Sequence, residues 1–130
     1  MIGVVIAMQS EADILLEEMK ISRSLTVSGK NVHVGKAYGK EIAVCVCGVG
    51  KVNAALGTQL LVSKFDAEKL LNFGVAGGLN KETELCQVYQ ISAAVQFDFD
   101  LTQLNGTKIG TLDEYSENYL ALNTLKAPFP

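Results

Sequence analysis

The chain has 130 residues, of which 48% are hydrophobic and 19% charged, a composition that can bury one core and is far from that of a disordered segment. The formal net charge of −3 and the scattered basic residues argue against a nucleic-acid partner, and no apolar run is long enough to span a bilayer. Met1 leads directly into a strand-like run, so we expect no secretory signal, no membrane contact and a cytoplasmic location.

The chain opens with a predicted strand and helix. Residues 2–7 form an unbroken apolar run, which is typical of a strand buried on both faces. Ser10 followed by Asp13 predicts the amino-terminal cap of a helix that extends to about Met19. The helical period turns the apolar side chains of this helix toward the core, namely Ile14, Leu15 and Met19.

A hairpin and a second helix are predicted next. Residues 31–38 alternate apolar with polar or small side chains, and Gly39-Lys40 is a candidate two-residue turn into a buried strand over 41–47. The helix after Gly50 carries a mostly apolar stripe at helical spacing, which we expect to face the core. The stripe consists of Val52, Ala55, Leu56, Gln59, Leu60 and Ser63.

The remaining pattern predicts two strands and a helix. Residues 69–73 and 88–96 read as strands, and 113–123 as a helix with Asp113 and Glu114 at its positive end. This order of elements predicts an α/β domain. Its core is expected in the three apolar strands near residues 2–7, 41–47 and 69–74.

Glycines cluster where strands are predicted to end. Gly74, Gly77 and Gly78 follow one apolar run, and Gly48 and Gly50 follow another. Because glycine lets backbone approach a small ligand closely, these junctions predict the edge of a ligand pocket. The spacing fits neither a dinucleotide-binding motif, since position 53 is not glycine, nor a phosphate loop. A tight strand-to-helix turn would explain the glycines at 48 and 50 equally well.

The chain contains three cysteines and one histidine, which are Cys45, Cys47, Cys86 and His33. They form neither a zinc-ligand set nor a C-x-x-C pair, so we expect no metal site and no cofactor. We expect the cysteines to act as small buried hydrophobes in a reducing compartment.

Glu11 is the candidate catalytic carboxylate. It lies in the first turn of the predicted first helix, shortly after the first strand ends. An acid at that position also complements the helix dipole. Position alone therefore leaves a structural and a catalytic role open.

Taken together, the segments 2–12, 48–55 and 71–79 resemble the purine nucleoside phosphorylase superfamily, and most closely its 5′-methylthioadenosine/S-adenosylhomocysteine nucleosidases. The resemblance implies a three-layer fold with a mixed, twisted β-sheet flanked by helices. It also implies hydrolysis of the N-glycosidic bond of these nucleosides, with release of adenine. Family members carry a Gly-Ala-Met-like segment and, three residues later, a Glu that positions the attacking water. Ala7, Met8 and Glu11 match that spacing.

The same resemblance implies the substrate-binding residues. Met8 and Val49 would line the ribose and 5′-substituent side, and the turn at Val75, where some relatives carry Ser, would border the base and ribose. Residues 97–102 resemble the family segment before a dimer-contact loop, which places Leu104 where relatives often carry an aromatic that reaches into the neighbouring subunit. The implied set is Ala7, Met8, Val49, Val75, Ala76, Gly77 and Leu104, in a homodimer that binds a small nucleoside.

The resemblance covers only the first part of the family domain. The family segments that bind ribose through Met-Glu and protonate the leaving purine through Ser-Asp have no counterpart after Gly106. We therefore expect residues 1–130 to be the amino-terminal part of a single, apparently truncated domain, inactive by itself. Arg23 is the only arginine and lies away from the glycine-rich turns, which favours hydrolysis over phosphorolysis. The alternatives are a phosphorylase of the same superfamily and a non-catalytic nucleoside-binding or assembly module.

Overall fold

A computed structural model describes residues 1–122. The elements in chain order are β1 (Ile2–Ile6), α1 (Gln9–Glu18), β2 (Lys20–Val27), β3 (Lys30–Ala37), β4 (Lys40–Val46), α2 (Lys51–Phe65), β5 (Lys69–Phe73), β6 (Ala93–Ala94), α3 (Thr102–Asn105) and β7 (Leu120–Ala121). The chain divides into two compact units, the first being Met1–Gly77 and the second beginning at Gly78. Among residues 1–122, no helix has the length and apolar character needed to cross a membrane.

The first unit is built on a five-stranded mixed sheet with the order β2-β3-β4-β1-β5. β1 lies at the centre of three parallel strands, with Val4 beside Val44 on one side and beside Leu71 on the other. β2, β3 and β4 form an antiparallel meander. The parallel strands require crossover connections, which α1 and α2 help to supply.

The two helices cover opposite faces of this sheet. Ile6 and Val44 pack in one buried cluster with Ala12 of α1, whereas Val5 and Cys45 pack in a second with residues of α2. Successive side chains of a strand point to opposite faces, so both clusters draw on the same strands. This explains the unbroken apolar runs of β1 and β4 and confirms the predicted three-layer α/β fold.

The predicted inward stripe of α2 is mostly wrong, because among its members only Leu60 packs against the buried cluster. The helix buries Gly57, Leu61 and Phe65, while Val52, the first residue of the stripe, is 75% exposed. α2 is apolar on more than one side, and its contact with the sheet is made through a glycine that lets the helix approach closely. The period of the apolar residues therefore did not determine which face is buried. At the first helix, the structure buries Met19, the residue after α1, and half-buries Leu15 as expected, but Ile14 is exposed.

β5 has the predicted bounds but not the predicted burial. Leu71 is 43% exposed, in contrast to Val4 and Val44, which are buried. The reason is position, because β5 is an edge strand of the sheet formed by the described residues.

The hairpins differ from expectation in two respects. The apolar pattern did not predict β2, an exposed strand that pairs with β3. The predicted turn at Gly39-Lys40 lies one residue earlier, at Tyr38-Gly39, and Lys40 already belongs to β4. Both turn residues have positive φ, 50° and 72°, which is the backbone of a type I′ hairpin turn.

The second unit contains only short elements. Of the strand predicted over 88–96, only Ala93–Ala94 pairs, with Leu120–Ala121 as its partner. The helix predicted over 113–123 is wrong in its described part, because Asp113 and Glu114 lie in a turn; residue 123 is outside the described residues. Asn118 in this segment donates a side-chain hydrogen bond of 3.0 Å to the Ile109 carbonyl, nine residues earlier in the chain.

Candidate functional site

The candidate site lies where β4, β1 and β5 end. Because these strands are parallel, their carboxyl ends lie at the same edge of the sheet. β1 continues into α1 on one face and β4 into α2 on the other, so the chain diverges between two neighbouring strands. Such switch points form the ligand crevices of open α/β sheets. The Gly48 N–H donates to the Ala7 carbonyl at 3.0 Å, which holds the two strand exits together.

Glu11 is held by backbone groups from two strand exits. Its Oε2 accepts the Met8 N–H at 3.0 Å, and its Oε1 accepts the Val75 N–H at 2.9 Å. The side chain is half-buried. A carboxylate fixed through both oxygens presents its remaining lone pairs in a defined direction, as a base that orients water requires.

The structure also corrects the cap of α1. The helix begins at Gln9 with Met8 as its N-cap residue, so the predicted cap at Ser10 and Asp13 is wrong. Glu11, the third residue of the helix, instead satisfies the Met8 N–H, which is the acidic half of a capping box. One carboxylate oxygen therefore serves the helix, and the other reaches the end of β5.

Gly74 makes this second contact possible. A Cβ at position 74 would lie 2.9 Å from Glu11 Oε1, closer than carbon normally approaches oxygen. Val75, the next residue, is 81% exposed. Ala76 and Gly77, which follow it, are also exposed. The glycine that was predicted to permit close approach of a ligand also permits close approach of the candidate base.

The loop after β4 borders the same edge. Gly48 and Gly50 have φ of 92° and 108°, a backbone that favours glycine, and Val49 between them is 69% exposed. Lys30 and Asn53 bind the carbonyls of this loop. Sequence reasoning missed both residues as site components. The sequence could have indicated Asn53 by its place in the first turn of the helix after the glycines. No feature of the sequence marks Lys30.

The structure brings Glu11 and six of the predicted substrate-binding residues to the strand exits of the first unit. The six are Ala7, Met8, Val49, Val75, Ala76 and Gly77. Leu104 lies in the second unit, on α3, and is 83% exposed; its assignment stays a prediction. Near Leu104, two hydrogen bonds from Thr102 stabilise the Asp100 carboxylate and hold its pKa below the usual range. The bond from the Thr102 hydroxyl has the larger effect, followed by the bond from the Thr102 N–H.

The cysteines divide into two kinds. Cys45 and Cys47 are buried in the first unit, as predicted, whereas Cys86 is exposed, which the prediction missed. Burial, followed by the neighbouring Cys47, raises the pKa of the Cys45 thiol to about 11. Among residues 1–122, the histidine, cysteine and acidic side chains nowhere form a group of three or more that could hold a metal ion.

Comparison with known proteins identifies the family. A family model described as Phosphorylase superfamily matches residues 1–125. The chain belongs to the phosphorylase superfamily. Within this superfamily, it is 35% identical over 126 residues to a 5′-methylthioadenosine/S-adenosylhomocysteine nucleosidase of Marinomonas sp., an alignment that covers 97% of this chain and 54% of that protein.

Solved structures share the fold of this chain. The nucleosidase of Neisseria meningitidis, in complex with methylthio-immucillin-A, superposes with a TM-score of 0.86 at 28% identity, over 94% of this chain and 52% of the other. A futalosine hydrolase of Helicobacter pylori superposes with a TM-score of 0.84 at 30% identity, over 92% and 51%. The chain thus spans about half the length of the relatives it matches.

Proposed function

We propose that this chain is the amino-terminal part of a nucleosidase domain that hydrolyses the N-glycosidic bond of 5′-methylthioadenosine or S-adenosylhomocysteine and releases adenine. The observation that carries the proposal is the Glu11 carboxylate, held at the carboxyl edge of the parallel strands by the N–H groups of Met8 and Val75. The nucleosidases named above share this family and fold with the chain.

The chemistry requires more than one group. Cleavage of an N-glycosidic bond develops positive charge on the sugar and negative charge on the leaving base, so a base must orient water and an acid must neutralise adenine. In the proposal Glu11 orients the water, while Met8, Val49 and the backbone of Val75–Gly77 border the nucleoside. The acid is assigned to the half of the relatives' length that this chain does not span, and we propose that residues 1–130 alone are inactive.

Arg23 favours hydrolysis over phosphorolysis. A phosphorylase must hold a phosphate dianion, for which arginine is the best-suited side chain. Arg23 is the only arginine of the sequence. Its guanidinium lies 5.6 Å from the ring centroid of Phe65, at the carboxyl end of α2. Because α2 begins directly after β4, that end lies away from the strand exits that carry Glu11.

The similar proteins differ in the substrates for which they are named. Two of the similar proteins are named for methylthioadenosine and adenosylhomocysteine, and the third is a hydrolase named for futalosine. We propose a methylthioadenosine-type substrate because the relative with the higher identity carries that name, at 35% against 30%. We further propose a cytoplasmic homodimer in which Leu104 contacts the neighbouring subunit.

A chimera tests these proposals. Residues 1–125 would be followed by the remaining half of the Marinomonas sp. nucleosidase, and release of the purine base from the three nucleosides would be followed by chromatography with and without phosphate. We expect phosphate-independent release of adenine from methylthioadenosine by the chimera and none by the 130-residue chain. The Glu11→Gln chimera is the control that assigns turnover to this site.

The alternatives give distinct results in the same assay. Turnover that requires phosphate would establish a phosphorylase, and preferential turnover of futalosine would replace the substrate. Nucleoside binding without turnover by the chimera would favour a non-catalytic binding module. Sedimentation of the chimera as a monomer would contradict the homodimer.

A further inference from the structure

The loop after β4 is fastened by a bridge of two side chains from other elements. The Lys30 ammonium, at the start of β3, donates to the Cys47 carbonyl at 2.6 Å and to Asn53 Oδ1 at 2.5 Å. Asn53 Nδ2 in turn donates to the Val49 carbonyl at 2.7 Å. The bridge therefore binds the backbone on both sides of Gly48.

Apart from the bond of the Gly48 N–H to the Ala7 carbonyl, the two glycines give this loop a flexible backbone, which the bridge restrains. Gly48 and Gly50 both have positive φ, and glycine has the widest choice of backbone conformations. Hydrogen bonds from an ammonium group are about twice as strong as those between neutral groups. The bonds from Lys30 and Asn53 thus select one conformation for Val49, which lies at the edge of the candidate site.

Gly48 is fitted to this arrangement. A Cβ at position 48 would lie 3.2 Å from Asn53 Nδ2, the atom that binds the Val49 carbonyl. Asn53 occupies the position where a dinucleotide-binding motif would carry its third glycine. Asn53, the residue at which the sequence departs from that motif, therefore accepts the hydrogen bond from the Lys30 ammonium.

We propose that Lys30 and Asn53 are positioning residues that hold Val49 as a preformed wall of the nucleoside site. Neither residue is assigned contact with the reacting atoms. The role in nucleoside binding rests on the proposed function, whereas the restraint of the loop does not. The two parts are therefore tested by separate measurements, the restraint on the 130-residue chain and the binding on the chimera.

Amide hydrogen exchange, followed by NMR, tests the restraint. The reporter is the Gly48 N–H, which bonds to the Ala7 carbonyl, and strand amides of β1 and β4 report global opening. We expect Lys30→Met to accelerate exchange at Gly48 about tenfold or more relative to the strand amides, because the loop then opens locally. Lys30→Arg, which keeps a cationic donor, should restore most of the protection.

Two further variants separate this bridge from nonspecific effects. Asn53→Asp keeps an acceptor for Lys30 but removes the donor to the Val49 carbonyl, so it should also free the loop. Lys36→Met removes an exposed lysine from the same strand and should leave Gly48 unchanged. Unchanged exchange at Gly48 in Lys30→Met, or an equal acceleration of all strand amides, would overturn the restraint.

Calorimetric titration with 5′-methylthioadenosine tests the consequence for the site. In the Glu11→Gln chimera, which contains both halves of the proposed site and hydrolyses the nucleoside slowly, Lys30→Met should weaken binding about tenfold, because the wall must then be ordered as the ligand binds. Equal affinities would overturn the role of the bridge in binding. Absence of binding to the Glu11→Gln chimera itself would contradict the proposed function, and exchange at Gly48 would still decide the restraint.

Discussion

The Val75 N–H donates a 2.9 Å hydrogen bond to Glu11 Oε1, across a separation of 64 residues in the sequence. The bond joins the first turn of α1 to the exit of β5. Since the other carboxylate oxygen accepts the Met8 N–H, the side chain is restrained from both sides before any ligand binds. A restrained base does not need to be reoriented when the substrate arrives, which is the advantage of preorganisation in catalysis.

Glu11→Gln should reduce hydrolysis by the chimera about a hundredfold to ten-thousandfold, the usual contribution of a positioned proton-transfer group. The amide has one acceptor oxygen where the carboxylate has two, so either Met8 or Val75 loses its partner. We therefore expect a stability loss of about 0.5–1.5 kcal/mol as well. Single-turnover rates and urea denaturation measure the two effects.

Glu18→Gln is the matched control for this change, because Glu18 is an exposed acid at the other end of α1. It should leave both turnover and stability within experimental error. If Glu11→Gln keeps near-normal turnover and loses only stability, Glu11 caps α1 and has no catalytic role.

Gly74→Ala should impair turnover through Glu11. The added Cβ would meet Oε1 at 2.9 Å and displace the carboxylate, while the φ of Gly74 lies outside the left-handed region, so alanine can adopt the backbone conformation. Displacing a catalytic group by about 1 Å can cost about a hundredfold in rate. When Gly74→Ala is made in the Glu11→Gln background, the further loss of turnover should be much smaller. If the losses of the two single variants add fully in the double variant, Gly74 does not act through Glu11.

The sequence was sufficient to predict the parts of the fold that local patterns determine. β5 was predicted over 69–73 and found over Lys69–Phe73, and the apolar runs of β1 and β4 are buried on both faces. Burial itself was not predictable where it depends on neighbours. Leu71 is exposed because β5 is an edge strand among the described residues, and α2 turns a different face inward because Gly57 makes the close contact.

The candidate site was only partly predictable for a related reason. Glu11 was identified by its spacing from Met8, but its bond to Val75 depends on the parallel pairing of β1 and β5. The bond from Lys30 to Asn53 joins residues 23 positions apart on elements that meet only in the folded chain. Lys30 belongs to no pattern in the linear sequence, and Asn53 is marked only by its place in the first turn of the helix after the glycines.

Gly57→Ala should destabilise the protein by about 1–3 kcal/mol, the usual cost of overpacking. A Cβ at this position would lie 2.7 Å from Cys47 Cβ, an atom close to the backbone of the sheet. The gain in helix propensity, about 1 kcal/mol, only partly offsets the clash. Urea denaturation measures the change. Ser63→Ala, at an exposed position of the same helix, should be neutral or slightly stabilising, and a more stable Gly57→Ala chain would refute the close packing of α2.

Cys45 should make stability depend on pH in the alkaline range. Burial, followed by the neighbouring Cys47, raises the pKa of its thiol from 9.0 to about 11 in the folded chain. Well below pH 9 the thiol is protonated in both states. Between pH 9 and 11 it ionises mainly in the unfolded chain, so the free energy of unfolding falls as the pH rises. Urea denaturation at several pH values should show a smaller alkaline loss for Cys45→Ala than for the unmodified chain. Cys86→Ala, which removes an exposed thiol, should keep the full loss. Identical pH dependence of Cys45→Ala and the unmodified chain would show that another group is responsible.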